Sequence, residues 1–383
     1  MAARGAVWAV FFTAGAGLAT WFPYIPTVQH RLHLSNGTLG LCLLSAPIGS
    51  IGMAQVSANL IGRFGSRDLI RIASILFFVN LPLPVLARNP PMLVASLLVL
   101  GAATGLRNVA MNTQAVEVER IYGRPILTGF HAAFSLGSLA SAGLAVIVIG
   151  AGWSPGKHVA LVAAALLTVS VVAARALLRL PDERSAIRTR FTRPNGTLLK
   201  LGTIAICLLI AEGAMADWAS VFVRNVREGS PRTGAAAYAA FVGAMAIGRL
   251  LGDKATQRLG PVQMLRVGGL LICGGLLVAT LAPLTGLAIG GFGGVGLGVS
   301  CGYPIMISAA GRVRGAATAA ALTVVTTIGA IGFLAGPPLI GLIAQATSLR
   351  VALLIVAAMG LLEMAMANEV DPARAQDQAT PNV

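Results

Sequence analysis

The sequence predicts an all-α integral membrane protein, with twelve transmembrane helices in two pseudo-symmetric six-helix bundles. Three observations carry that prediction. Hydrophobic residues make up 56% of the 383 and charged residues only 11%, with a mean hydropathy of +0.82. A soluble chain so poor in charge could not keep its surface in water. Twelve predominantly apolar stretches fill the chain, each near or above the roughly 20 residues that a bilayer-crossing helix needs. One polar segment near residue 190 divides six of these stretches from the other six.

The first stretch, 5–27, follows Arg4. It is too long for the apolar core of a signal peptide, and eleven more follow, so it reads as a retained helix. The second, 36–61, runs into the basic turn Arg63-Phe64-Gly65. Pro82 and Pro84 in the third, 69–88, predict a kink, because proline frees a backbone carbonyl. The fourth, 91–118, encloses Arg107, and the fifth, 126–150, encloses Ser135-Leu136-Gly137-Ser138-Leu139. The sixth covers 157–180. Glu212 and Asp217 lie in the seventh, 198–223. The eighth, 233–252, and the ninth, 262–282, flank a second basic turn, Arg258-Leu259-Gly260. The tenth, 284–308, is glycine-rich, and the eleventh, 315–343, contains Gly336-Pro337-Pro338. Small residues at such positions let membrane helices pack closely. The twelfth spans 347–368. The domain boundaries that result are an N-terminal bundle at 1–180, a linker at 181–197, a C-terminal bundle at 198–368 and a tail at 369–383.

The net charge of +15 would suggest nucleic acid in a soluble protein. Here location explains it. With both termini taken as cytoplasmic, 20 of the 28 Lys and Arg fall on the cytoplasmic side, 7 fall on the outer side, and Arg107 alone lies well inside a span. That bias is the positive-inside rule, so linker and tail are cytoplasmic and no nucleic-acid partner is expected. Cys42, Cys207, Cys273 and Cys301 all lie within spans and imply no disulfide framework. The four histidines are scattered without metal-ligand spacing, so neither a metal nor another cofactor is expected.

The two halves repeat each other. Arg63-Phe64-Gly65 recurs as Arg258-Leu259-Gly260, 195 residues later. Ser135-Leu136-Gly137-Ser138-Leu139 recurs as Thr327-Ile328-Gly329-Ala330-Ile331, and the pair Arg120/Arg124 recurs as Arg312/Arg314. Repeated helical halves about a midplane site are a common transporter design.

On these residues the whole chain resembles the major facilitator superfamily. In that family the turn after spans two and eight runs Gly-x-Leu-x-Asp-Arg-x-Gly-Arg-Arg. The second half here keeps Gly248-Arg249-Leu250-Leu251-Gly252-Asp253 and then Arg258-Leu259-Gly260. The first half keeps Leu60, Arg63, Gly65 and Arg67 but has Gly62 at the family's Asp. The resemblance implies two bundles around a central cavity lined by spans one, four, seven and ten. It also implies a cytoplasmic gate built from Arg63, Gly65, Arg67, Arg249, Asp253, Arg258 and Gly260. A narrower similarity is to the fucose-permease-like branch, with its many uncharacterised inner-membrane transporters. It rests on Thr20-Trp21-Phe22-Pro23-Tyr24-Ile25-Pro26, Asn108-Val109-Ala110-Met111-Asn112, Phe130-His131, Glu212-Gly213-Ala214-Met215-Ala216-Asp217-Trp218 and Gly336-Pro337-Pro338. It implies a multi-pass bacterial inner-membrane protein, monomeric by family habit. In related sugar:proton symporters the position of Asn108 is usually acidic, so proton coupling is left open.

Charged side chains inside a membrane persist where water, a partner or a substrate meets them. Arg107, Asn108, Asn112 and Gln114 form a polar strip on span four. Asn108 and Asn112 share a face, as do Arg107 and Gln114. The strip either faces substrate, or Arg107 braces helices through Glu117 or Glu212. Trp21 and Tyr303 are further substrate-binding candidates, since aromatic faces stack on sugars. Tyr24 and Trp218 suit an interfacial belt. Glu212, Asp217 and His131 are the proton-coupling candidates, with Asp217 also placed to anchor an outer gate with Arg224 or the first outer loop.

These residues point to a secondary active transporter of a small polar organic solute, with a sugar or sugar derivative favoured. It would work by alternating access in a lipid bilayer, with protons the default coupling ion. The alternatives are a proton-driven exporter and a membrane sensor that no longer transports. No enzyme-like cluster of His, Asp, Cys or Ser is evident, and no phosphate-binding Gly-x-x-x-x-Gly-Lys-Ser/Thr loop occurs.

Overall fold

A computed structural model describes residues 2–123, 126–179, 195–313 and 318–371. The expected linker, apart from its last three residues, and the tail beyond Asp371 lie outside the described residues, as do Arg124 and Arg314. Among the described residues twelve helices are long and apolar enough to cross a membrane: Ala2–Arg31, Asn36–Phe64, Ser66–Leu86, Pro90–Tyr122, Leu127–Gly150, Pro155–Ala174, Gly196–Asn225, Pro231–Leu259, Pro261–Leu281, Thr285–Gly311, Ala320–Ala346 and Leu349–Val370. These are spans one to twelve. Several outrun their expected ends, most clearly the eighth. Hydropathy marks only the segment inside hydrocarbon, while the hydrogen-bonded helix continues into polar flanks.

Local chemistry sets the breaks. Among the described residues side-chain caps start five helices: Ser35 accepts from the Thr38 N–H (3.2 Å), Asn89 from Met92 (2.9 Å), Asn195 from Leu198 (2.9 Å), Ser230 from Thr233 (3.2 Å) and Ser348 from Val351 (3.3 Å). In span one Pro23 and Pro26 interrupt the ladder, and Phe22–Tyr24 tightens into a 3-10 turn. Span three breaks between Asn80 and Pro82, the kink its prolines predict. Gly123 ends span four in the left-handed conformation (φ 72°).

The chain divides into two compact units, Met1–Ile187 with Val223–Ala239, and Arg188–Phe222 with Ala240–Val383. The basic turn repeats from one unit to the other in its hydrogen bonds. Gly65 (φ 80°, ψ 146°) and Gly260 (φ 80°, ψ 160°) turn the chain out of spans two and eight. The Gly65 N–H donates to Ile61 O (2.8 Å), and Gly65 O accepts from Leu69 (3.2 Å). Shifted by 195 residues, Gly260 donates to Thr256 O (2.9 Å) and accepts from Met264 (3.1 Å). Close packing repeats as well. A Cβ on Gly101 of span four would overlap the Ala46 carbonyl of span two, and one on Gly296 of span ten would overlap the Phe241 carbonyl of span eight.

Large apolar side chains also cover the outside. Val79, Ile147 and Leu281 are each more than 60% exposed. An apolar exterior of this kind needs lipid, not water.

Candidate functional site

In the first unit span four splits its polar strip by direction, because neighbouring residues point about 100° apart on a helix. Arg107 and Gln114 turn inward. Arg107 is 2% exposed. Its NH2 donates to Val10 O (3.0 Å), Thr13 Oγ1 (2.5 Å) and Ser170 Oγ (3.3 Å). Its guanidinium carbon lies 5.8 Å and 5.0 Å from the ring centroids of Phe77 and Phe78. It therefore ties span four to spans one, three and six. The expected carboxylate brace is corrected: Glu117 pairs with Arg120 (2.9 Å) and Glu212 with Arg249 (3.8 Å). Gln114 is fully buried, donating to Ser66 Oγ (2.7 Å) and Leu178 O (3.0 Å) and accepting from the Leu178 N–H (3.0 Å).

Asn108 and Asn112 turn the other way. Asn108 is exposed and Asn112 half-buried. Asn112 Nδ2 donates to Asn108 O (2.8 Å) and Oδ1 (2.9 Å). The Asn108 amide nitrogen and Asn112 Oδ1 make no internal hydrogen bond among the described residues, and so present a donor and an acceptor side by side. His131 is exposed, edge-on to Phe11 with centroids 5.3 Å apart.

The aromatic expectations need revision. Trp21, expected to bind solute, is 3% exposed. Tyr24 and Trp218, assigned to an interfacial belt, are buried. Tyr24 Oη instead pairs with His158 Nδ1 of span six at 2.7 Å. A buried hydroxyl needs a partner, and sequence spacing could not show that residues 134 apart would meet.

In the second unit Glu212 of span seven faces Arg249 of span eight, both side chains about one-third exposed. Tyr303 of span ten is half-buried and close enough to feel the Glu212 charge. A pair this open contributes ~0–1 kcal/mol to stability. Asp217 is half-buried. Its suggested partner Arg224 donates to Gly229 O instead (2.8 Å).

The predicted gate residues separate by role. Gly65 and Gly260 form the matched turns. Arg67 caps the end of span six, donating to Ala174 O (3.1 Å) and Arg175 O (2.8 Å). Arg249 belongs with Glu212. Arg63, Asp253 and Arg258 are exposed.

The expectations above miss Glu363 of span twelve, which is completely buried. The signal was present, since the rule that singled out Arg107 applies equally to a carboxyl inside an apolar run.

Twelve helices in two repeating units, with polar groups aimed both into and out of each, define a membrane transporter fold. Residues 7–332 match the sequence profile of the Major Facilitator Superfamily, and the chain belongs to that family. It is 37% identical over 360 residues to an uncharacterized MFS-type transporter of Yersinia pestis, covering 94% of each chain. It is 30% identical to the membrane protein MosC of Rhizobium meliloti, covering 92% of this chain and 86% of that one. Among solved structures, the nucleoside transporter NupG matches with a TM-score of 0.76 at 14% identity, covering 96% of this chain and 99% of NupG. A D-xylose-proton symporter matches at 0.73 and 17% identity, covering 94% and 96%. At these identities the two structures speak for the fold alone.

Proposed function

We propose that this chain is a secondary active transporter of a small polar organic solute, a sugar or sugar derivative being favoured. It sits in the bacterial inner membrane with both termini cytoplasmic and works by alternating access. The partly exposed Glu212–Arg249 pair, near Tyr303, carries the reading. It offers carboxylate, guanidinium and phenol groups to one ligand. A carboxylate and a guanidinium each make strong, directional hydrogen bonds to hydroxyl groups. Within the first unit, Asn108 and Asn112 present an amide donor and acceptor of their own. The structural neighbours named for nucleoside and D-xylose transport suit a hydroxyl-rich solute. Glu212 is the coupling group: protonation releases Arg249, and deprotonation restores the pair. Arg107 and Gln114 act from behind, holding span four, which presents Asn108 and Asn112.

The test begins with a thermal-shift screen of neutral sugars, sugar acids and nucleosides on purified protein, since a bound ligand raises the midpoint by mass action. The best stabiliser is then followed into proteoliposomes with and without an inward proton gradient. Wild type should accumulate it only with the gradient. Glu212→Gln should still be stabilised by the solute and should equilibrate it without accumulation. Accumulation by Glu212→Gln equal to wild type would remove the coupling role. Absence of any stabilising hydroxylated solute would remove the substrate class.

A further inference from the structure

The two buried charged side chains among the described residues, Arg107 and Glu363, occupy one place in the repeat. In the first unit Arg107 reaches from span four to Thr13 of span one and Ser170 of span six, over Phe77 of span three. The shift of 195 that relates Gly65 to Gly260 turns Thr13 into Leu208, Phe77 into Ile272 and Arg107 into Gly302. The last span of each half follows a shift of 193. The buried positions Ala163, Ser170, Ala174 and Leu177 of the first half become the buried positions Val356, Glu363, Ala367 and Val370. Ser170 therefore corresponds to Glu363.

The second-unit residues meet as that correspondence requires. A Cβ on Gly302 would lie 2.5 Å from Leu208 Cδ2 and 3.3 Å from Glu363 Oε1, and one on Gly268 of span nine would lie 3.6 Å from the same oxygen. Ile272 packs on Gly298 and Gly360, one turn from Gly302 and Glu363. The same pocket thus holds an arginine from span four in one half and a carboxyl from span twelve in the other. The position opposite is small in each case, Ser170 or Gly302.

The two pockets differ in their polar partners. Arg107 has Val10 O, Thr13 and Ser170. Glu363 has Leu208 where Thr13 stood, and neither of its oxygens has a hydrogen-bond partner among the described residues. The groups on the surrounding spans do not neutralise it. Span seven brings Cys207, while its Glu212 is occupied with Arg249. Span nine carries Arg266, which bonds Asn368, and Cys273. Span ten carries Cys301, bonded to Gly248 O, and Tyr303, on the Glu212 side. Span eleven has no titratable side chain over Ala320–Ala346. Near its own end of span twelve, Glu369 pairs with Lys200, and Arg312 donates to Val370 O. A carboxylate stripped of water, donors and counter-charge is too costly to keep as an anion.

We propose that Glu363 is a proton-binding site of the second unit. The carboxyl holds its proton while spans seven, nine and ten close around it. When span seven or ten withdraws, the O–H bond breaks, the proton passes to water as hydronium, and a carboxylate remains. The site deepens the transport reading by adding a second proton site to Glu212, and rests on that reading only for the movement of the spans.

The test is infrared spectroscopy of the purified protein in phosphatidylethanolamine–phosphatidylglycerol vesicles, for wild type and the near-isosteric Glu363→Gln. Wild type at neutral pH should show a neutral-carboxyl C=O band that the variant lacks. The band should shift in D2O and bleach at high pH. Carbodiimide labelling provides a second readout on wild type alone. Dicyclohexylcarbodiimide adds the protonated carboxyl across its N=C bond and rearranges to a stable N-acylurea. The adduct on the peptide carrying Glu363 should fall about tenfold per pH unit once the carboxyl titrates. Loss of the Glu363-dependent band at neutral pH would overturn the proposal, as would a band that neither exchanges in D2O nor bleaches, or absence of the adduct at every pH. None of these readouts needs a transported solute, so failure to find the substrate leaves the test intact.

Discussion

Thr13→Val probes the internal role of Arg107 most directly. Valine keeps the shape of threonine and removes one acceptor. In the structure Thr13 Oγ1 is the shortest of the three contacts to the guanidinium, at 2.5 Å, and is also bonded to Ser170 Oγ (2.8 Å) and Val10 O (3.1 Å). Arg107 Nε and NH1 already lack partners among the described residues, so NH2 carries all the hydrogen bonding. Losing a hydrogen bond to a buried charge costs about 1.5–3 kcal/mol. Ser170→Ala removes the 3.3 Å contact to Arg107 and the neutral 2.8 Å bond to Thr13 but leaves the shortest acceptor of the guanidinium in place, and should cost less, about 0.5–1.5 kcal/mol. The double variant should cost less than the sum, because both acceptors serve one nitrogen. The assay is thermal unfolding in detergent at matched scan rates, since such unfolding is a rate-dependent readout. An unchanged midpoint for Thr13→Val, together with lost solute binding, would refute the bracing account and return Arg107 to the solute.

The matched turns make a second prediction. Gly65→Ala and Gly260→Ala should each cost about 1–3 kcal/mol, because φ 80° with ψ near 150° is a region that side chains avoid. Gly123→Asn should be nearly neutral at its αL position. Apparent midpoint and yield of monodisperse protein measure all three. Helix contact gives a third. Gly101→Ala and Gly296→Ala should each lose about 1–3 kcal/mol by forcing a Cβ against a backbone carbonyl, with Gly52→Ala, which meets open space, as the silent control in the same melts.

Much of this was legible in the sequence for identifiable reasons. The spans follow from the length of apolar runs, and the turns at Gly65 and Gly260 from a motif that local backbone geometry requires. The pairing of Asn108 with Asn112 follows from four-residue spacing. The direction of Arg107 was harder to read. Periodicity says that Arg107 and Gln114 share a face; it does not say whether that face meets solute or other helices. Tyr24 and Trp218 resemble belt residues near helix ends, yet both are buried by neighbours that the sequence does not place beside them.

Composition, hydropathy and internal repetition by themselves determined a twelve-helix membrane protein of duplicated design. Those properties depend on transfer to lipid and on backbone hydrogen bonding, both local along the chain. Only the tertiary structure decided which polar groups face inward and what they meet. It took Glu212 from Arg107 and gave it to Arg249, joined Tyr24 to His158, and brought Ser170 of one half and Glu363 of the other to the same position in the repeat. Each outcome depends on contacts between helices far apart in sequence, which helix rotation and packing fix and residue spacing does not.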